Sequence, residues 1–154
     1  MNVQIVRLNP VSIIKVSHIG PYEELGPKFE ALWSWIEQNN IPATRSIGIY
    51  YDNPEHVPAN RLRSAACAEV PDGYIITANG APGFVATLAG GDYATMTYTG
   101  PYEAMEPVWA QFTTYVEAIL NRTIRESEPA FEVYLNDPAN TPPDQLVTEM
   151  YMPV

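Results

Sequence analysis

A single cysteine, Cys67, rules out a disulfide within the chain and suits a reducing compartment, so a cytoplasmic protein is expected. Positive charge is equally scarce: eight Lys and Arg stand against eighteen Asp and Glu, a net charge of −10. Proteins that hold nucleic acid attract its phosphates through Lys and Arg, so direct nucleic-acid binding is not expected. Acidity of this size serves solubility, and it also favours cationic ligands or a basic protein partner. No apolar run approaches the roughly 18 residues of a membrane span. The start, Met1 to Arg7, has no charged leader followed by an apolar stretch, so no signal peptide is expected. Histidine is nearly absent, and His18 and His56 share no metal-ligand spacing with Cys67. No metal is expected. With no G-x-S-x-G elbow, P-loop or dinucleotide fingerprint, no organic cofactor is expected either.

What is present is a repeat. Gly20-Pro21-Tyr22-Glu23 returns as Gly100-Pro101-Tyr102-Glu103, each followed four residues on by a proline, Pro27 or Pro107. Phe29, Leu32, Trp35 and Ile36 then align with Trp109, Phe112, Tyr115 and Val116. A second block, Ile49-Tyr50-Tyr51-Asp52-Asn53-Pro54, aligns with Val133-Tyr134-Leu135-Asn136-Asp137-Pro138, and beyond it Pro58 and Leu62 align with Pro142 and Leu146. Two blocks in one order, 80 and 84 residues apart, read as an internal duplication covering roughly 1–75 and 83–154. At 154 residues, 46% of them apolar and 17% charged, one folded domain over 1–154 is expected.

Each copy reads as strand–helix–strand–strand. The first strands, 12–17 and 93–98, are rich in β-branched and aromatic residues. A helix follows each Gly-Pro-Tyr-Glu turn, expected to start at Pro27 and Pro107, since proline is tolerated at a first helical position. Leu25, Phe29, Leu32, Trp33 and Ile36 make the first apolar face; Val108, Trp109, Phe112, Tyr115, Val116 and Ile119 make the second. Two strands joined by a Pro-rich loop complete each copy, at 47–51 and 64–70 and at 131–135 and 148–152, with further strands expected at 74–76 and 84–88. The fold class is therefore α+β, two pseudo-twofold related units with helices packed on antiparallel sheet. Twin halves leave a cleft between them, a preferred ligand location.

Glu132 stands out as a candidate site residue. It lies in the apolar strand Ala130-Phe131-Glu132-Val133-Tyr134-Leu135, where alternation puts Glu132 and Tyr134 on one face. Its counterpart in the first copy is Gly48, so the acid is present once. A single acid in a symmetric cleft suits a ligand anchor; the alternative is an ordinary solvated strand face. Tyr22, Tyr102, Tyr151, Phe29, Trp33 and Trp109 join Tyr134 as candidate aromatic contacts, although Phe29 and Trp109 also fit core packing, and Tyr22 and Tyr102 also fit a purely structural turn. Asp52, Asn53, Asn136 and Asp137 precede prolines, where Asx side chains cap turns.

These features together resemble the GyrI-like proteins: the tandem units, Tyr51-Asp52-Asn53-Pro54-Glu55 followed by Pro58-Ala59-Asn60-Arg61-Leu62-Arg63, Gly90-Gly91-Asp92-Tyr93, Phe131-Glu132-Val133-Tyr134-Leu135-Asn136, and the ending Glu149-Met150-Tyr151-Met152-Pro153-Val154. The likeness runs from about Val11 to Val154. That family includes the bacterial DNA gyrase inhibitory protein and the effector-binding domains of AraC-type and MerR-type regulators. It implies a two-module fold with a central pocket for planar or cationic, often aromatic, compounds, and it places the pocket-floor acid on Glu132. Regulators carry a helix-turn-helix domain ahead of this fold, whereas only about ten residues precede the first expected strand here, so a stand-alone effector-binding protein is expected. Three functions follow, in order: a small-molecule binding protein anchored by Glu132; a hydrolase of cyclopropane-bearing DNA-alkylating compounds, with Glu132 as general base and Tyr134 or Tyr151 donating to the oxyanion; and an acidic inhibitor contacting DNA gyrase.

Overall fold

A computed structural model describes residues 1–154, which divide into two compact units, Asn9–Gly90 and Met1–Leu8 with Gly91–Val154. Both are α+β, with one main helix on an antiparallel sheet.

In the Asn9–Gly90 unit the strands are β2 (Val11–Ile19), β3 (Ser46–Tyr50), β4 (Arg63–Glu69) and β5 (Phe84–Leu88), while β1 (Gln4–Leu8) belongs to the other unit. Their order is β3-β4-β2-β5. Helix α1 (Gly26–Gln38) follows a single turn of 3-10 helix at Tyr22–Glu24. It starts where Pro27 predicts, because proline gives up only an N–H that has no helical partner there. It stops at Asn39, whose side chain donates to the Trp35 carbonyl at 2.9 Å, and Asn40 turns the chain away at φ 50°. Leu25, Leu32, Trp35 and Ile36 face the sheet and bury against Ile14, Val16, Ala66 and Ala68. The alanines of β4 carry little bulk, so α1 settles close to the strand.

In the other unit β1 adds to β6 (Gly91–Thr99), which pairs with β8 (Val147–Pro153), which pairs with β7 (Ala130–Tyr134). Helix α2 (Met105–Thr114) lies on this sheet and packs Met105, Phe112 and Val116 against Ala94, Met150 and Met152. The same element order, strand, 3-10 turn, helix, strand, 3-10 turn, strand, runs through both units.

Three expectations need correction. Residues 74–76 form no strand; Tyr74 and Ile76 instead lie against the core beneath α1 without a ladder partner, and the Trp35 indole ties this segment down by donating to the Asn79 carbonyl at 2.9 Å. Residues 4–8, read as a lead-in, form β1. Ile119, expected on the buried face of α2, is 66% exposed. The helix ends in a π-turn over Tyr115–Ile119, in which the Leu120 N–H reaches back five residues to the Tyr115 carbonyl. The wider turn delays the helical phase, and Ile119 no longer falls in line with Phe112 and Val116.

Gly83 sets the approach of β5 to β2, since a Cβ there would run into the Lys15 backbone carbonyl. Gly83→Ala is expected to lower stability by about 1–3 kcal/mol, the usual range for overpacking; a denaturation midpoint equal to wild type would contradict this. Cys67 is fully buried in β4, and burial pushes its thiol up to about 12. Its thiolate is scarce at neutral pH, so a disulfide-exchange reagent at pH 8 should label Cys67 only after denaturant is added.

Candidate functional site

Strand β7 alternates as its sequence predicts. Glu132 pairs across the ladder with Met150, which belongs to the core beneath α2, so the carboxylate lies on the helix-covered face. It is only 6% exposed. Each oxygen accepts a hydrogen bond: Trp109 Nε1 donates to Oε1 at 2.7 Å and Tyr134 Oη donates to Oε2 at 2.7 Å. Trp109 comes from α2 and Tyr134 from two positions along β7, so helix and strand both fix the acid. Hydrogen bonds to an ionised acceptor are roughly twice as strong as neutral ones, which offsets part of the cost of burying the carboxylate.

Tyr102 completes the group. The turn that delivers it depends on Gly100, at φ 150°, where a Cβ would lie 2.6 Å from Tyr98 Oη. That hydroxyl donates to the Pro101 carbonyl at 2.9 Å and pins the turn. The Tyr102 ring meets the Tyr134 ring edge-on, with centroids 5.5 Å apart. Burial first, then the negative charges of Glu132 and Asp137, push the Tyr102 hydroxyl above its ordinary range.

Tyr151 stands apart from these. It pairs with Phe131 in the ladder and stacks on it at 4.7 Å on the opposite face of the sheet, and its hydroxyl donates to Glu149 at 3.2 Å. Tyr93 joins that second aromatic group, with the Arg125 guanidinium 5.4 Å from its ring centre. So Glu132, Tyr134, Tyr102 and Trp109 come together, and Tyr151 does not join them.

Tyr22, Phe29 and Trp33 belong to the Asn9–Gly90 unit. Phe29 and Trp33 pack half-buried against the α1 core, and the Trp33 indole donates to Ser46 Oγ at 3.3 Å. Tyr22 meets Tyr50 edge-on at 4.9 Å, repeating the Tyr102–Tyr134 arrangement. Its hydroxyl, however, is held at both ends by Asp52, donating to the carbonyl and accepting from the backbone N–H. Gly48, counterpart of Glu132, lies buried in β3. Tyr50 was not singled out from sequence; its alignment with Tyr134 was the available signal.

The Asx residues act as turn locks. Asn53 and Asp137 accept backbone N–H bonds from Glu55 and Ala139, two residues on, at 2.9 and 2.8 Å. Asp52 accepts from the Arg63 backbone at 2.8 Å, and Asn136 accepts from the Val147 backbone at 2.9 Å, closing the base of each hairpin. No group of three or more His, Cys, Asp or Glu gathers in metal-binding geometry. No helix is long and apolar enough to cross a membrane.

The family model for the GyrI-like small molecule binding domain matches residues 1–154. The chain belongs to that family. It is similar to the DNA gyrase inhibitor of Klebsiella pneumoniae strain 342, with 36% identity over 140 residues covering 89% of this chain and 87% of that protein. Among solved structures, the EcmrR C-terminal domain superimposes with a TM-score of 0.75 at 15% identity, covering 99% of this chain and 96% of that one. SAV2435 bound to tetraphenylphosphonium superimposes with a TM-score of 0.64 at 17% identity, covering 100% and 94%. This GyrI-like chain thus shares its fold with proteins of widely divergent sequence, and its relatives by sequence carry the gyrase-inhibitor name.

Asp52 yields a pH prediction. The Arg63 guanidinium bound to it holds its carboxyl below the ordinary value of 3.8. The unfolded state therefore binds the proton first, so the stabilisation is complete above that ordinary value and is lost as pH falls through the lower folded value. Wild-type stability measured by urea denaturation should drop below about pH 4, and Asp52→Asn should flatten part of that acid limb. Identical slopes would show that the pair contributes nothing.

Proposed function

We propose that this GyrI-like protein binds cationic or planar aromatic compounds, with Glu132 as the charge anchor and Tyr134, Tyr102 and Trp109 as the aromatic wall. The single observation that carries the proposal is the buried carboxylate held by an indole and a phenol. Both of those donors are neutral groups, an indole N–H and a phenol O–H. At an effective dielectric near 20, opposite charges about 4 Å apart attract by about 4 kcal/mol before desolvation is subtracted. Cation–π contacts add about 0.5–2 kcal/mol each. The lone buried cysteine and the absence of a spanning helix fit a cytoplasmic setting. That SAV2435, a protein of the same fold, takes a phosphonium cation supports the ligand class.

Hydrolysis by Glu132 ranks behind binding, because the phenols that would serve the oxyanion are engaged elsewhere: Tyr134 donates to Glu132 itself and Tyr151 lies on the opposite face of the sheet. A contact with DNA gyrase is the second reading, favoured by the name of the Klebsiella relative and by the net charge of −10. Purified gyrase whose supercoiling is unaltered by excess protein would remove it.

Titration with rhodamine or tetraphenylphosphonium, followed by tryptophan fluorescence, tests the binding proposal. Saturable quenching is expected, weakened about tenfold or more by Glu132→Gln, the scale of one lost charge-assisted contact. Trp109→Phe should weaken binding less and lower stability by about 1–3 kcal/mol, because it leaves a buried oxygen short of a donor. No quenching by any such cation, with Glu132→Gln indistinguishable from wild type, would reject the proposal.

A further inference from the structure

Two buried side-chain hydroxyls have no hydrogen-bond partner in the protein, Ser64 Oγ and Thr148 Oγ1. They occupy equivalent places in the two units, 84 residues apart, each directly across the ladder from a tyrosine of an edge-on pair: Ser64 from Tyr50 and Thr148 from Tyr134. A buried hydroxyl left without a partner is costly, and a Val or Ala side chain would avoid the cost. Thr148 is 0% exposed, lies between Tyr98 and Tyr134 in the sheet, and shares its helix-covered face with Glu132.

The aromatic residues on that face differ in how they are held. Tyr98 Oη is bonded to Pro101, and Trp109 Nε1 and Tyr134 Oη are bonded to Glu132. Tyr102 Oη makes no hydrogen bond, and its ring is held by the edge contact with Tyr134 and by packing on the α2 core. Its counterpart Tyr22 is locked at the hydroxyl by Asp52. Tyr102 is therefore the one of these four aromatic side chains whose polar atom is not tethered, and it rides on a three-residue 3-10 turn whose other members, Glu103 and Ala104, are exposed.

We infer that Thr148 Oγ1 is the hydrogen-bond acceptor of the Glu132 site, reached when Tyr102 swings aside, and that the preferred ligands are cations carrying N–H groups rather than fully substituted onium ions. This rests on the binding proposal above and narrows its ligand class. Glu132 attracts any cation of suitable size. Thr148 adds a contact that only an N–H donor can make, and so converts charge attraction into a preference within the class.

Rhodamine 123 and tetramethylrhodamine methyl ester provide the test: both are planar xanthylium cations of one charge, the first with N–H groups and the second with N-methyl groups. Wild-type protein is expected to bind rhodamine 123 about tenfold more tightly, the scale of one hydrogen bond to a charged donor. Thr148→Val, nearly the same shape, should abolish that preference by weakening rhodamine 123 binding about tenfold, and should melt no lower than wild type. Equal affinities in wild type, or a preference that survives Thr148→Val, would overturn the inference while leaving the Glu132 proposal standing. A Thr148→Val protein that melts lower and retains the preference would mark the hydroxyl as structural, with the same consequence. Binding of both dyes that is insensitive to Glu132→Gln would instead bring down the underlying proposal, and this inference with it.

Discussion

A carboxylate beneath a helix is tolerated only if its charge is met, and the unit containing Glu132 is built around that requirement. Trp109 reaches it from α2 and Tyr134 from its own strand, each at 2.7 Å. The Trp109 bond ties the helix to the sheet, and the two donors together orient the acid, since a slip of the helix would leave a buried carboxylate oxygen short of a donor. The Tyr102 ring then closes on Tyr134. In the other unit Gly48 replaces the acid, and the corresponding tyrosine, Tyr22, turns its hydroxyl to the backbone of Asp52. One framework thus supports a buried acid in one unit and a glycine with a locked tyrosine in the other.

The small side chains serve the same arrangement. Ala66 and Ala68 in β4 stand where β8 has the larger Met150 and Met152, so each helix meets a sheet surface of different relief. Gly100 lets Tyr98 cross to Pro101, and Asp52 and Asn136 hold the hairpins that bring β4 and β8 beside β3 and β7. These locks explain how a chain with long proline-rich loops holds two strands in a defined register.

Much of the fold was legible because it depends on short-range patterns. β-branched and aromatic content together with the internal repeat found seven of the eight strands approximately, proline at a first helical position marked α1, and Asx residues before proline marked the turns. Where local pattern misled, long-range pairing was responsible: Gln4–Leu8 became a strand only by finding β6, and 74–76 failed to become one for want of a neighbour. Ile119 was misplaced because a π-turn leaves no mark in hydrophobic periodicity until its hydrogen bond is seen.

By itself the sequence determined the α+β class, the repeated order of elements, the family, and the presence of one acid on the same strand face as Tyr134. The family came by resemblance to known proteins, and the rest follows from residue type and spacing along the chain. Only the tertiary structure decided that Trp109 and Tyr134 share the carboxylate, that Tyr151 faces away from it, and that the hydroxyls of Ser64 and Thr148 are buried without a partner. Those facts depend on which side chains meet across strands and between helix and sheet, and spacing along the chain does not encode such distances.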